Sequence, residues 1–269
     1  MAVTVLDLLL IYSIFIQRAA ARNFRKESQD PAERKVNEKK PLVTFKGKLR
    51  YLYTVHDCCC VCEAILKKLE TLEELIVGFD LEWPVDFRRG RGQGRTALIQ
   101  FCPSQAVCYL FHVIEWNKLP KVFVNFISHP KVKLVGVNIR GDIWKLGRDF
   151  DISVAPIVEN NAVELRHLAN KVFSITDCWS LDRLVVYVLK KQLAKPEDVR
   201  LSNWAQIPLT NSQFEYAAND AYASLIVYNR LKELEVEFNV KKGNVATDEC
   251  LGPGPDELQG CPHYSNPDS

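Results

Sequence analysis

What most constrains this chain is a hydrophobic run that carries two acids. Leu75 to Phe79 reads as a buried strand, and Asp80-Leu81-Glu82-Trp83 continues it. Side chains at i and i+2 of a strand share one face. Asp80 and Glu82 therefore point one way, while Phe79, Leu81 and Trp83 point the other. Two carboxylates held side by side repel each other and lose hydration on burial. A divalent cation is the simplest thing that makes such a pair favourable, because hard cations take carboxylate oxygens.

The chain has 269 residues, of which 47% are hydrophobic, enough for the core of one domain with tails. A net charge of +2 supplies no global field toward nucleic acid. The charge is uneven, however: from Gln17 to Arg50 there are eleven Lys and Arg against four Asp and Glu. Such a basic arm suits an anionic partner or a nuclear address, and equally a solvated tail. Nine cysteines without an even framework point to a reducing compartment and free thiols. Cys59 and Cys62 have zinc-like spacing, but no second pair completes four ligands, so core and helix-start roles fit them better.

Residues 2–16 are apolar apart from Thr4, Asp7 and Ser13. Fifteen residues are short for a membrane span. The basic residues follow the run rather than precede it, unlike a cleaved secretory signal. The open readings include a targeting element, a membrane anchor whose following Arg18, Arg22, Arg25 and Lys26 would keep the body cytosolic, and a buried or amphipathic helix.

Composition divides the chain into an N-terminal tail (1–41), a folded domain (42–237) and a disordered C-terminal tail (238–269). Within the domain, the patterning predicts a strand over 42–55 and a helix over 58–73 capped from His56-Asp57. The acid strand follows over 75–83, then a loop over 84–94. Strands at 96–102 and 107–113 form a hairpin. A helix over 118–128, a strand over Val132–Asn138 and a helix over 140–150 come next, and 161–236 is mostly helical, ending in a long helix over 210–236. Hairpin strands, a parallel crossover and flanking helices make an α/β three-layer domain.

Two more sites carry acids where packing alone does not call for them. Asp142 sits near the start of the helix after Val132–Asn138, where an anion is favoured. Tyr216 and Asp220 stand at i and i+4 on the last helix, on one face, with small residues Ala217, Ala218, Ala221 and Ala223 around them that permit close packing against a sheet. Each acid alone is an ordinary helix-edge residue.

In order, Asp80-x-Glu82, Gly136-x-Asn138-Ile139 leading to Asp142, and Tyr216-x3-Asp220 resemble the three exonuclease motifs of the DEDD superfamily, in its tyrosine-bearing branch. The histidine branch is excluded, because Glu215 stands five residues before Asp220. The stretches GFDLEWP, CYLFHV, WKLGRDFD, WSLDRLV, LSNW and PLT…YAANDAYASLIVY further resemble the exonuclease domains of Werner type, over about Phe45 to Leu231.

The resemblance implies a ribonuclease H-like α/β/α fold with a mixed central sheet. It implies a 3′-5′ exonuclease in which Asp80, Glu82, Asp220 and Asp142 hold two Mg²⁺ or Mn²⁺ ions and Tyr216 orients the attacking water, with nucleoside 5′-monophosphates as products. Tyr216 is a poor base, since its reference pKa is about 10. Trp144 is carried over as a contact to the nucleic-acid end. Arg88, Arg89 and Arg91, in a basic Gly-rich loop past the acid strand, suit phosphates or plain solvent. Trp179 and Trp204 read as core, and His112 and His167 as satisfied side chains in apolar faces.

No helicase motifs follow and no helical RNA-binding domain follows residue 237. The expectation is therefore a stand-alone enzyme acting on DNA 3′ ends, recessed or single-stranded, in nuclear genome maintenance, with a separately encoded helicase as a candidate partner. A ribonuclease D-like RNA trimmer uses the same residues and remains the main alternative. An inactive scaffold would have no chemical need for all four acids and the tyrosine.

Overall fold

In the computed structural model, residues 40–86 and 92–248 are described. The elements run β1 (Lys48–Leu52), α1 (Val55–Leu69), β2 (Leu75–Glu82), β3 (Val85–Asp86), β4 (Gly92–Gln93), β5 (Leu98–Ser104) and β6 (Val107–His112). They continue as α2 (Lys121–Ile127), β7 (Val132–Gly136), α3 (Ile139–Phe150), α4 (Ala155–Asn160), β8 (Ala162–Glu164), α5 (Leu165–Phe173), α6 (Leu181–Leu189), α7 (Glu197–Arg200) and α8 (Asn211–Asp248).

Six strands form one mixed sheet in the order β1-β6-β5-β2-β7-β8. β2, β5 and β6 are antiparallel neighbours, while β1 with β6, β2 with β7, and β7 with β8 are parallel. The period-2 alternation of β2 sorts the layers. Val77, Phe79 and Leu81 point into one core with Cys58, Cys62, Ile65 and Leu69 of α1, the phenylalanines of α2, and Ile143 and Leu146 of α3. Burying each such apolar side chain contributes about 1.5–3 kcal/mol. Gly78, Asp80 and Glu82 face the opposite layer, built from α5, α6 and α8. The arrangement is the ribonuclease H-like α/β/α sandwich that the motifs imply.

Gly78 sets the closeness of that second layer. A Cβ there would lie 1.9 Å from the carbonyl oxygen of Ala221. The α8 backbone rests directly on β2, and only glycine leaves room for it.

Several local expectations are corrected. The first strand is confined to Lys48–Leu52, because Phe45 N is drawn off to Asn219 Oδ1 (2.7 Å) and Val43 N to Gln192 O (2.8 Å). Helix α1 is capped by Thr54, whose side chain accepts from Asp57 N, so His56 and Asp57 lie inside the first turn. The loop after β2 contains a two-stranded ribbon, β3 against β4. β8 interrupts the stretch read as helical, since three residues are too few for a strand pattern to show. The last helix does not stop near 236 but runs to Asp248, into the tail expected to be disordered. No proline interrupts it before Pro253, and Arg230 pairs with Glu233 and Glu237 along its surface (2.9 Å each). Among the described residues no helix is long and apolar enough to cross a membrane. Residues 2–16 and most of the basic arm lie outside the described residues.

Candidate active site

The close approach of α8 to β2 brings acids from two elements together. One carboxylate oxygen from each of Asp80, Glu82 and Asp220 lies within 4.8 Å of the others. Asp80 and Glu82 are half-buried on the rim of the sheet face, while Asp220 is only 2% exposed. Leu81 N donates to Asp80 Oδ1 at 2.9 Å and fixes that carboxylate. Asp220 Oδ1 is buried and makes no hydrogen bond of normal geometry, although the Tyr216 hydroxyl is near enough to help hold the Asp220 pKa down.

Asp142 lies in the first turn of α3, 5% exposed, outside this three-acid group but within its field. Its charge adds to the forces that raise Glu82, and Asp80 in turn raises Asp142. Burial first, then Asp220, pushes Asp80 up to about 7, against which Lys195 acts. Burial, Asp80 and Glu164 push Asp142 up to about 8. Glu82 is raised well above its ordinary value by burial, Asp80 and Asp220. Asp220 is raised by burial against the pull of Lys195. Four carboxylates whose joint ionisation is this unfavourable, one with a buried oxygen that makes no hydrogen bond of normal geometry, fit divalent cations as the missing positive charge.

Tyr216 stands one turn before Asp220, and its hydroxyl is pushed upward by burial, then by Asp220, Glu82 and Asp80. It stays protonated at neutral pH, able to donate and unsuited to act as a base. These side chains border a cleft of about 620 Å³, which Trp83, Arg166, Lys195 and Arg200 also line.

Lys195 is, with Arg166 and Arg200, among the cleft residues that sequence reasoning missed. It follows α6, and its Nζ donates to Asp220 Oδ2 at 2.8 Å and lies 5.8 Å from the Tyr216 ring centroid. Burial lowers its pKa, but the charge and hydrogen bond of Asp220 outweigh this and raise it. On paper it does not differ from Lys190 or Lys191, and no motif marks it.

The remaining residues singled out in the sequence fall outside the acid group. Trp144 is 45% exposed on the outer face of α3, opposite Asp142, and does not line the cleft. Arg88, Arg89 and Arg91 lie outside the described residues. The base of their loop is tied down: Gly94 N donates to Pro84 O (2.8 Å), and Gly94 O accepts from Lys145 Nζ (2.7 Å). Trp204 and Trp179 are buried, though Trp179 also borders the cleft. His112 is buried with Nδ1 2.6 Å from the Tyr51 hydroxyl, but its Nε2 has no partner. His167 is exposed rather than set in an apolar face, because it falls on the outer side of α5.

Residues 53–235 match the family described as 3′-5′ exonuclease. The chain is 41% identical over 194 residues to the bifunctional 3′-5′ exonuclease/ATP-dependent helicase WRN of Mus musculus, a match covering 72% of this chain and 13% of WRN. It is 35% identical over 237 residues to a 3′-5′ exonuclease of Drosophila yakuba, covering 84% of this chain and 66% of that protein. The chain thus spans a small part of the mouse relative and about two thirds of the fly one. Among solved structures, the catalytic core of RRP6 from Trypanosoma brucei superposes with a TM-score of 0.57 at 21% identity, over 78% of this chain and 54% of that one. The Nibbler EXO domain of Aedes aegypti gives 0.57 at 21%, over 72% and 93%. These two similarities concern the fold.

Proposed function

This chain belongs to the 3′-5′ exonuclease family of the DEDD superfamily, and from that membership we propose that it hydrolyses DNA from 3′ ends and releases nucleoside 5′-monophosphates. The observation that carries the reading is the convergence of Asp80, Glu82 and Asp220 within 4.8 Å, with Asp220 Oδ1 making no hydrogen bond of normal geometry. Those three, with Asp142 beside them, would hold two Mg²⁺ or Mn²⁺ ions. The chemistry that such ions supply when bound is activation of a water and neutralisation of charge on the departing 3′ oxygen.

The chain's own residues do the rest. Tyr216 keeps its proton and aims the attacking water through a hydrogen bond from its hydroxyl. Lys195 holds the Asp220 carboxylate in place and lowers the repulsion among the acids. Trp83 and Arg166 wall the cleft, and Arg166 also opposes the rise of the Asp142 pKa. Trp144 contacts nucleic acid outside the cleft, and Arg88, Arg89 and Arg91 contact phosphates.

The DNA reading rests on the Werner-type motifs. The basic stretch from Gln17 to Arg50 supports a nuclear address and a role in repair, replication or genome maintenance. The mouse relative joins an exonuclease to a helicase in one protein, which supports pairing with a helicase activity here. An anchor through residues 2–16 would instead place the enzyme at a membrane or in an organelle. RNA trimming is the second reading, favoured by the fold shared with RRP6 and, at a TM-score of 0.55 and 20% identity, with RNase D of Trypanosoma brucei.

The test is hydrolysis of labelled recessed duplexes, single-stranded DNA and RNA, each with Mg²⁺ or Mn²⁺. Faster release of deoxynucleoside 5′-monophosphates than of ribonucleotides is expected. RNA trimmed at least as fast as DNA would overturn the DNA reading, and no hydrolysis of any substrate would overturn the enzymatic one.

A further inference from the structure

Helix α3 uses its two faces differently. Its inner face carries Ile139, Asp142, Ile143, Lys145 and Leu146, all buried. Its inward cation is committed to internal partners: Lys145 pairs with Asp149 (2.9 Å), donates to Gly94 O and lies 4.8 Å from the Trp83 ring centroid. Arg95, from the neighbouring loop, covers Phe150 at 4.3 Å and donates to Asp149 O.

The outer face carries Arg140, Trp144 and Arg148, all exposed. Their spacing of four residues places them about 40° apart in sequence around the helix, in one stripe some 12 Å long. Among the described residues neither arginine has a hydrogen bond, ion pair or ring contact, and the Trp144 ring has no aromatic or cationic partner. Arg95, Arg166, Arg183, Arg200 and Arg230 all have partners. A bare indole between two unpaired guanidinium groups combines what nucleic-acid strands bind: a stacking surface and phosphate-neutralising charge. The stripe does not line the cleft, and the same helix carries Asp142 on its inner face, within the field of the cleft acids. Its occupant therefore lies outside the hydrolytic site.

We propose that Arg140, Trp144 and Arg148 form a track for the nucleic-acid backbone beyond the cleft, holding the part of the substrate that is not being hydrolysed. The proposal rests on the nuclease reading above and adds where the remaining polymer runs. Phosphates of one duplex strand advance about 3.4 Å along the helix axis per residue, so a 12 Å stripe laid along that axis covers the axial span of roughly three to four of them. Two arginine contacts are what such a length accommodates, one at each end of the indole.

The test separates binding from hydrolysis. Affinity for a labelled oligonucleotide of about twenty residues is measured against salt in EDTA, for the full chain and for R140A/R148A. Each lost phosphate contact lowers the slope of log affinity against log salt by about 0.7–0.9, so the double variant should lose roughly 1.5 from the slope and about ten-fold in affinity at low salt. Arg140→Lys with Arg148→Lys should keep the slope. Trp144→Ala should weaken binding while leaving the slope in place, because stacking releases no counterions. A charge-matched K67A/K68A variant on α1 serves as a control. In hydrolysis, the preference for the long strand over a dinucleotide should fall in R140A/R148A. An unchanged salt slope in that variant, or no binding by the wild-type chain, overturns the track. Failure of the wild-type chain to hydrolyse any nucleic acid with Mg²⁺ or Mn²⁺ overturns the nuclease reading instead.

Discussion

Lys195 Nζ donates to Asp220 Oδ2 at 2.8 Å, so the most buried acid of the cleft is paired with a cation from a loop about 25 residues earlier in the chain. The same charge opposes the rise of Asp80 and Glu82. Replacing Lys195 by Met keeps most of its volume and removes that charge. The expected result is a fall of about 10–100-fold in kcat, of the size seen when a metal ligand loses its supporting partner. The acidic limb of the pH–rate profile should shift to higher pH, because the carboxylates become harder to ionise. A pH–rate profile of wild type against Lys195→Met checks both; an unshifted acidic limb would separate Lys195 from the electrostatics of the acids.

Asp80→Asn separates metal binding from packing. The amide has the same shape and no charge, so it removes repulsion toward Asp220 and Glu82. Activity should fall by about 100-fold or more. The metal-free protein should become more stable, with Tm raised by about 2–4 °C for each kcal/mol of relieved repulsion. Stabilisation by added Mn²⁺ should shrink to a small part of the wild-type effect. Thermal melts with and without Mn²⁺ decide this; a variant that melts lower than wild type without metal contradicts the repulsive account of the site.

Asp80 and Glu82 were legible alone, while Asp142 and Asp220 became legible only through the order and spacing of the whole set. Asp80 and Glu82 interrupt a core strand, and Tyr216 and Asp220 stand among alanines on a packed helix face. Lys195 breaks no rule, and its pairing with Asp220 depends on how α6, α7 and α8 fold back over the sheet. The parallel pairing of β1 with β6 is equally silent, since register between distant strands leaves no mark within either. β8 is too short for its alternation to show, yet it supplies Glu164, whose Oε1 accepts from Asn138 N at 3.1 Å and whose charge helps raise Asp142. The end of α8 lies beyond the point where hydrophobicity falls, so composition alone does not mark it.

Stability and metal binding should depend on pH in opposite directions. Asp80 at about 7 and Asp142 at about 8 lie above their ordinary value of 3.8. The folded chain therefore holds more protons than the unfolded chain between about pH 4 and pH 8. The contribution of these two groups is fully present below about pH 4 and is lost as pH rises through 7 to 8. Metal ions bind the ionised forms, so their stabilising effect grows over the upper part of the same range. Melts at about pH 5.5 and about pH 8.5, with EDTA or Mn²⁺, should show a metal-free Tm that falls with pH and a Mn²⁺ increment that rises. An increment that is the same at both values would mean that these carboxylates are not what the ion binds.

Gly78→Ala tests whether the site depends on the contact between β2 and α8. The added Cβ would meet the Ala221 carbonyl oxygen at 1.9 Å, and that oxygen belongs to backbone that no rotamer change can move. Either α8 lifts from the sheet or the strand bends. The cost should be about 3 kcal/mol, the upper range for overpacking, which corresponds to a Tm lower by about 6–12 °C. Lifting α8 carries Asp220 and Tyr216 away from Asp80 and Glu82, so kcat should fall even where the variant remains folded. Gly136→Ala makes the comparison specific. Its Cβ would approach the Phe79 carbonyl oxygen at 2.9 Å, crowding β2 against β7 rather than against α8. Activity measured well below each variant's Tm should drop further for Gly78→Ala at matched loss of stability. Equal activities would mean that the separation of α8 from β2 does not govern the geometry of the acids.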